Sequence, residues 1–244
     1  MKILNFFLIC FSFFSYCTLV FAQSTTFSTE QIIVESTVSG ATDVKVADLD
    51  NDGDMDIVSA STDNNRIAWY KNNCSGNFGT QQIIDTNLDL AKSVHPTDLD
   101  SDGDIDVLSS GDDIVWYEND GSGNFSAPKI IISNEYAESI YAADLDNDGD
   151  IDVLSSSYKT TWYKNDGNQN FEAPQIISMG TIYWEGQFIY ATDFDNDGDI
   201  DVLSVSQNVV GSSTVANRMS WYENDGSGNF VFRQTINEYY NGYP

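Results

Sequence analysis

The chain has few of the residues that usually form a catalytic site or a disulfide-stabilised fold. Its 244 residues include three cysteines, four prolines, one histidine and only 10 lysines and arginines, against 38 acidic residues. The formal net charge of −28 disfavours binding to nucleic acid and to anionic membrane surfaces. We find no Ser-His-Asp pattern and no catalytic carboxylate pair apart from the acidic loops described below, so we do not expect an enzyme.

Long apolar runs are absent after the N-terminus. There, an apolar stretch runs from Ile3 to about Val20, and Val20-Phe21-Ala22 fits the small-residue rule for signal peptidase. We predict a signal peptide over residues 1–22 and a secreted or cell-surface protein that does not insert into a membrane after cleavage. An uncleaved membrane anchor is the alternative, because the stretch is nearly long enough to span a bilayer.

Cysteine usage excludes an internal disulfide framework. Neither Cys10 nor Cys17 follows the small residue that a lipoprotein signal requires. The remaining chain, residues 23–244, keeps Cys74 alone and cannot form a disulfide within itself. A secreted chain of this composition needs another source of stability.

Four acidic loops and four aromatic motifs repeat along the chain. Each loop reads D-x-D-x-D-G-D-x-D, and the first aspartates of successive loops are 46 to 50 residues apart. After each loop come Trp-Tyr, Lys or Glu, Asn, a turn and Asn-Phe. The loops contain 20 of the 38 acidic residues, so the negative charge is concentrated and not spread over a solvated surface. They span residues 48–56, 98–106, 144–152 and 193–201.

Each repeat has four strand-like segments and no helical periodicity. A short alternating segment precedes the loop, an apolar segment such as Ile57-Val58 follows it, and the Trp-Tyr segment and a run such as Gln82–Ile84 complete the repeat. Four strands in about 45 residues are typical of a propeller blade, so we predict an all-β fold, a β-propeller of four-stranded blades. Pro96 in a first segment fits the free edge of an innermost strand. A linear β-solenoid is the alternative.

The aspartate spacing predicts calcium sites. In the first loop Asp48, Asp50 and Asp52 are at positions 1, 3 and 5, Gly53 permits the turn, and Asp56 is at position 9. Alternate residues of a tight loop can point at one centre, and an all-oxygen ligand set suits Ca²⁺ better than Mg²⁺ or Zn²⁺. An EF-hand is excluded because position 12 is serine in every loop. Acidic turns that bind nothing are the alternative, but their carboxylates would repel one another.

The repeated loop resembles those of FG-GAP/VCBS repeat proteins, whose integrin-like blades carry a calcium loop between their first two strands. The resemblance covers roughly Thr26 to Asn237 and implies a propeller, about four Ca²⁺ ions and a role in cell adhesion. The side-chain ligands that it implies are Asp48, Asp50, Asp52 and Asp56; Asp98, Asp100, Asp102 and Asp106; Asp144, Asp146, Asp148 and Asp152; and Asp193, Asp195, Asp197 and Asp201. The residues expected to use a main-chain oxygen are Asp54, Asp104, Asp150 and Asp199.

Four other features have competing interpretations. The Trp-Tyr pairs could stack on sugars, but we expect one ring of each pair to pack between blades, because neighbours in a strand point to opposite faces. His95 could be a general base, but we expect a partly exposed residue near the channel. Cys74 replaces a turn glycine, and its Cβ disfavours the positive φ expected there. Extra residues around Gln207 to Asn217 are expected to extend an outer hairpin or to contact a partner.

The strand inventory leaves one strand over. Phe27–Ile33 matches Phe125–Ile131, the outermost-strand segment of another repeat, and no fifth acidic loop follows the fourth repeat. We therefore expect part of a longer ancestral propeller, or a ring that completes itself by self-association. A closed four-bladed ring is the alternative.

The expected function is a non-enzymatic binding or adhesion module outside the cell, with an extracellular protein or glycan as its partner. One alternative is the propeller domain of a carbohydrate-active protein, either lectin-like or a polysaccharide lyase. Another is a structural fragment with no ligand but calcium. The charge makes nucleic acid an unexpected partner.

Overall fold

The computed structural model describes residues 40–75, 77–179, 184–210 and 213–240. The predicted signal peptide, residues 1–22, and the spare strand at Phe27–Ile33 lie outside the described residues, so both stay predictions. Within the described ranges every regular element is a β-strand, as the segment pattern predicts. Among these residues we find no helix that is long and apolar enough to cross a membrane.

Sixteen strands form four antiparallel sheets that follow one another along the chain. The first sheet contains β1 (Ala41–Ala47), β2 (Asp56–Ser61), β3 (Arg66–Tyr70) and β4 (Gln82–Asp85). The second contains β5 (Ser93–Thr97), β6 (Asp106–Ser110), β7 (Ile114–Tyr117) and β8 (Lys129–Ile132). The third contains β9 (Ser139–Ala143), β10 (Asp152–Ser156), β11 (Lys159–Tyr163) and β12 (Gln175–Met179). The fourth contains β13 (Trp184–Thr192), β14 (Asp201–Val210), β15 (Ser213–Asn224) and β16 (Phe230–Tyr240).

Each sheet is a meander in which neighbours in sequence are neighbours in space. The second strand of each sheet has a partner on both sides, and β6 and β10 are buried at every residue. This confirms the burial predicted from the apolar pair that follows each loop, Val107-Leu108 in β6 and Val153-Leu154 in β10. Pro96 lies in β5, which pairs with β6 alone, so its missing N–H falls on a free strand edge as predicted.

Three apolar clusters lie between consecutive sheets. The cluster between the first two sheets joins Val58 and Trp69 to Val94 and Tyr117. Two further clusters join the second sheet to the third and the third to the fourth through equivalent residues. Trp69 of the first sheet packs edge-on against the motif phenylalanine of the second, Phe125, with ring centroids 6.4 Å apart, and Trp162 of the third packs in the same way on Phe230 of the fourth. Each sheet thus buries its apolar face only by packing on a neighbour.

The first strands of successive sheets lie beside one another. Their polar residues connect them, since the Ser93 hydroxyl donates to Asp43 Oδ2 at 2.8 Å and the Ile189 N–H donates to Ser139 Oγ at 3.4 Å. A cavity of about 580 Å³ is lined by these strands, and His95, Tyr141 and Tyr190 form an aromatic row along it.

The fourth sheet has longer strands than the others. Its additional residues lengthen β14 and β15, so they extend a hairpin as predicted, and this hairpin is the middle pair of the sheet and not the outermost pair. The outermost strand, β16, lengthens with them and pairs with β15 as far as Tyr240. Once the middle hairpin is extended, the edge strand can follow it because the ladder continues.

Candidate metal centre

Each acidic loop connects the first strand of a sheet to its second strand, as predicted. The glycine at position 6 has a positive φ in all four loops, for example +92° at Gly53, where a residue with a Cβ would be strained. The residue at position 4 is also left-handed, with φ of 56° at Asn51 and 63° at Asn196. These two residues bend the loop sharply enough to fold its carboxylates inward.

The aspartate at position 1 organises the turn. Asp48 Oδ1 accepts the N–H of Asp52 at 3.1 Å, and Asp48 Oδ2 accepts the N–H of Gly53 at 2.9 Å. Asp98 and Asp144 make the same pair of hydrogen bonds in the second and third loops. Backbone donors thus hold each of these carboxylates on the inner side of its loop.

Three carboxylates meet in each loop. In the first three loops one oxygen each from positions 1, 3 and 9 lies within 4.8 Å of the other two, and in the fourth loop the same holds for positions 1, 3 and 5. The residues brought together are Asp48, Asp50 and Asp56; Asp98, Asp100 and Asp106; Asp144, Asp146 and Asp152; and Asp193, Asp195 and Asp197.

The aspartate at position 3 has an unsatisfied oxygen. Oδ1 of Asp50, Asp100 and Asp146 is buried and has no hydrogen-bond partner in the structure. Burial, together with the charges of Asp102 and Glu118, raises the pKa of Asp100. A buried carboxylate oxygen without a donor is rare in proteins, and a cation would satisfy it. The ligand atoms are all hard oxygens, so the loops fit a hard divalent cation.

The aspartate at position 9 begins the second strand and is fully buried in all four sheets. Asp106 Oδ2 accepts the N–H of Leu99 at 3.0 Å, and its Oδ1 accepts the N–H of Asn119 at 2.9 Å. This carboxylate therefore ties the start of the loop to the end of the third strand. Burial raises the pKa of Asp106 and of Asp152 to about 7, against the opposing effect of these backbone donors.

Several predicted ligands lie outside these triads. Position 5 is missing from the triads of the first three loops, and Asp201 from that of the fourth. At position 7, the carboxylates of Asp104 and Asp199 accept amide hydrogen bonds of 2.7 Å from the preceding sheet's loop. Asp150 Oδ2 lies 2.5 Å from the position that a Cβ on Gly167 would take. The predicted main-chain ligand role of position 7, including Asp54, stays a prediction.

Sequence reasoning missed the charged residue that follows each Trp-Tyr pair. Lys71 pairs with Asp50 and, at 2.9 Å, with Asp52, and Lys164 makes the same contacts with Asp146 and Asp148. At the equivalent place in the second sheet, Glu118 instead joins Asp100 and Asp102 in a further group of close carboxylates. The sequence shows that a lysine or a glutamate follows each Trp-Tyr pair. It does not show that this residue lies beside the acidic loop, because that depends on the fold.

The motif asparagine is the second missed residue. Asn119 Nδ2 donates to the Leu49 carbonyl of the preceding sheet at 2.8 Å and to the Ile105 carbonyl of its own sheet at 2.8 Å. Asn165 and Asn224 make the equivalent pairs of bonds. This asparagine thus links each acidic loop to the one before it.

The Trp-Tyr pairs, His95 and Cys74 were the other candidate functional residues. The first three Trp-Tyr pairs are buried, with 3% or less of each residue exposed, so their rings pack in the core and are not available to a sugar. His95 is half-buried with its ring 4.6 Å from Tyr141, and burial, with the Lys45 charge, lowers its pKa to about 4. Cys74 is exposed and has the predicted positive φ, +63°.

Comparisons with known proteins give a solved structure and a family model that are similar to this chain. A crystal structure of the V. cholerae biofilm matrix protein Bap1 is similar, with a TM-score of 0.43 and 17% identity over 76% of this chain and 35% of that chain. This chain therefore spans about a third of the length of that protein. No curated protein matches. A family model of the FG-GAP-like repeat matches residues 48–109, 98–155 and 153–204, which together make up more than half of the sequence. The chain therefore belongs to the FG-GAP-like repeat family.

Proposed function

We propose that this chain is an extracellular calcium-binding repeat module that binds a partner without catalysis, and that its four sheets are blades of a propeller. The family and the all-β repeats support the module. The acidic loops support calcium as its metal, and the predicted signal peptide supports its place outside the cell.

One observation carries the calcium proposal. The aspartates at positions 1, 3 and 9 come together in each of the first three loops. In each of these loops the aspartate at position 3 has a buried oxygen that accepts no hydrogen bond. A chance acidic turn would not repeat this arrangement in three sheets. Asp48, Asp50 and Asp56 would hold the ion in the first loop, and the residues at the same positions would do so in the second and third. In the fourth loop the residues brought together are Asp193, Asp195 and Asp197.

The loop aspartates would make folding depend on calcium. Bound Ca²⁺ would supply the positive charge that offsets the repulsion between the close carboxylates. Position 1 orders the turn through its backbone bonds, and position 9 ties the loop to the third strand. Extracellular modules can use weak sites, with dissociation constants of about 10⁻⁴ to 10⁻³ M, because calcium outside cells is abundant.

The sheet arrangement supports propeller blades. Four meander sheets follow in chain order, each packs on the next, and their first strands line a common cavity. This is the relation of blades to a central channel. An extracellular protein or glycan remains the proposed partner.

Thermal unfolding with and without calcium tests the proposal. If the loops bind calcium only in the folded state, excess EGTA should lower Tm by more than about 10 °C, because each site at a hundred-fold excess of ligand adds about 2.7 kcal/mol. Calcium should restore Tm, and an equal concentration of magnesium should restore much less of it, because magnesium prefers a tighter octahedral site. A Tm that does not respond to EGTA would contradict the proposal.

A carbohydrate-active protein is the second candidate, and the cavity favours it. Phe188 and Tyr190 are 67% and 52% exposed, and they line the cavity together with Lys45. Exposed aromatic rings beside polar groups can stack on a sugar ring. A glycan array probed with calcium and with EGTA would test sugar binding, and a product assay on each hit would test for lyase activity.

A further inference from the structure

We propose that the cavity lined by the first strands binds one sugar ring of a neutral glycan. Phe188 and Tyr190 would stack on the ring, and two ion-paired lysines of the lining, Lys45 and Lys92, would bind its hydroxyls. Such binding rests on the proposed partner-binding function and deepens it, because it assigns a chemical class to the partner and a place to the contact. It also favours a lectin-like site over a lyase site.

The cavity lies where the four repeats stop resembling one another. One position of each first strand is apolar in all four sheets, and its residues are Val44, Val94, Ile140 and Ile189. The next residue along the strand points to the opposite face and lines the cavity. This position changes along the chain, and its residues are Lys45, His95, Tyr141 and Tyr190. A ligand without the symmetry of the repeat needs different groups around it, and the lining provides them.

The third and fourth sheets supply the aromatic part of the lining. Tyr141 and Tyr190 lie edge-on with ring centroids 5.2 Å apart. Phe188 lies two residues before Tyr190 on the same face of β13, and both of these residues are more than half exposed. A sugar ring has faces of C–H groups and a rim of hydroxyls, so it can cover an aromatic ring and still reach polar groups. The cavity volume of about 580 Å³ suits a small ligand.

The charges of the lining balance one another, although the chain has a net charge of −28. Lys45 pairs with Asp43 at 2.6 Å, and Lys92 pairs with Glu138 at 3.0 Å. His95 is uncharged at neutral pH, because burial and the Lys45 charge lower its pKa to about 4. A charged ligand would lose hydration in the cavity without gaining an opposite charge that is not already paired. The lining therefore favours a neutral ligand over an acidic sugar.

The ion pairs leave hydrogen-bond donors for a ligand. An ammonium group has three hydrogens, and the Lys45 side chain donates to Asp43 while 41% of it stays exposed. Asp43 Oδ2 accepts the Ser93 hydroxyl at 2.8 Å and the Val94 N–H at 3.1 Å, so the pair is held in place before a ligand arrives. A purely apolar ligand would cover these polar groups without bonding to them, at a cost in free energy. A neutral ligand with several hydroxyls meets both requirements.

Ligand-observed NMR titration of the full chain in excess calcium is the first test. The probes are the methyl glycosides of glucose, galactose, mannose and N-acetylglucosamine, with methyl glucuronide and methyl galacturonide as charged counterparts. At least one neutral glycoside should bind with a Kd of about 1–10 mM. Each uronide should bind at least about ten-fold more weakly than that glycoside, because its carboxylate finds no unpaired cation.

Variants of the aromatic residues place the site in the cavity. Tyr190→Ala and Phe188→Ala should each raise the Kd of the bound glycoside at least about ten-fold, and Tyr190→Phe should keep it within about three-fold because the ring remains. Tyr158→Ala is the matched control, since Tyr158 is 60% exposed but lies between β10 and β11, outside the cavity lining. It should leave the Kd unchanged. Phe188→Ala keeps the test informative if loss of Tyr190 disturbs the packing of Tyr141, and Tm in calcium would show that each variant folds.

Four results would overturn the proposal. The first is no binding of any neutral glycoside at concentrations up to about 50 mM. The second is a uronide that binds as tightly as the neutral glycosides. The third is a Kd that neither Tyr190→Ala nor Phe188→Ala changes, which would place the sugar elsewhere. The fourth is cleavage of a bound glycan, which would indicate a lyase.

The response of Tm to EGTA, measured on the same samples, separates this proposal from the calcium proposal. A Tm that falls in EGTA while no neutral glycoside binds would overturn the sugar site alone. A neutral glycoside that binds to a chain whose Tm ignores EGTA would support the sugar site and contradict the calcium proposal.

Discussion

The first and third acidic loops carry a lysine beside them, and the second and fourth carry a glutamate at the same place. Lys71 and Lys164 each bridge the carboxylates at positions 3 and 5 of their loop. Glu118 adds a carboxylate to the second loop and pairs with Lys129 at 2.5 Å, while Glu223 pairs with Arg233. Loops of the same pattern therefore differ in whether a cationic side chain pairs directly with the loop aspartates or with the flanking glutamate.

This difference indicates two classes of calcium site. A lysine between two carboxylates offsets part of their repulsion in the absence of metal, but it must share those oxygens with an ion. The hydrogen bonds that Lys71 donates to Asp50 and Asp52 raise its pKa, so it stays charged at neutral pH. We expect the lysine loops to stay ordered without calcium and to bind it more weakly. The glutamate loops should bind calcium more tightly and depend on it more.

Calcium removal should produce the largest effect and divide the loops by class. After chelation, amide exchange at Asp102 and Gly103 should accelerate at least about ten-fold more than at Asp52 and Gly53, because only the latter loop retains a lysine paired with its own aspartates. Hydrogen exchange followed by mass spectrometry would measure this. Equal acceleration of amide exchange in both loops would contradict the division into lysine and glutamate loops.

Loss of the position-9 carboxylate should produce the next largest effect, and it should be the same in both classes. Asp106→Ala leaves two backbone N–H groups without an acceptor, and Asp152→Ala does so in a lysine loop. Each orphaned buried donor costs about 1–3 kcal/mol, so each variant should lose about 2–6 kcal/mol of unfolding free energy even in EGTA. Urea unfolding would measure the loss. A cost that appears only with calcium present would show that position 9 acts only as a ligand.

Exchange of the flanking charge should produce a moderate change in affinity. Lys71→Gln should tighten calcium binding at the first loop about two- to five-fold and lower Tm in EGTA, since the lysine is solvent-exposed and its ion pairs are weak. Lys159→Gln is the matched control, because Lys159 pairs with Glu135 away from the loops. Calcium titration of each variant would measure the change. Weaker binding by Lys71→Gln would contradict the assignment of the lysine as a competitor.

The smallest effect should come from the turn beside the first loop. Cys74 has a φ of +63°, where the equivalent residues Gly121, Gly167 and Gly226 have φ of 72° to 74°. Cys74→Gly should raise Tm by about 1–3 °C through relief of backbone strain. Differential scanning calorimetry would measure it. If calcium affinity at the first loop also changed as much as in Lys71→Gln, the turn and not the lysine would distinguish the first loop.

Local features of the fold could be predicted from the sequence because they follow from neighbours in the chain. The loop positions, the buried second strands and the edge position of Pro96 all follow from spacing and apolar pattern within one repeat. The positive φ of Cys74 follows from the glycine at its equivalent positions. These are properties of one repeat, and four copies of the pattern make them easy to recognise.

Contacts between segments could not be predicted in the same way. Lys71 is 21 residues from Asp50, and their pairing depends on how β3 ends beside the loop. Asn119 is 70 residues from Leu49, and their bond depends on the stacking of two sheets. The lengthening of β16 beside the extended hairpin of β14 and β15 depends on the pairing of β15 with β16, which the local pattern does not encode.

Calcium titration by isothermal calorimetry on the chelator-treated chain is the most direct measurement of the central claim. We predict about four calcium ions per chain in two affinity classes, with Asp100→Asn removing a tight site and Asp50→Asn a weak one. A titration without heat, confirmed by equilibrium dialysis that finds no bound calcium, would contradict it.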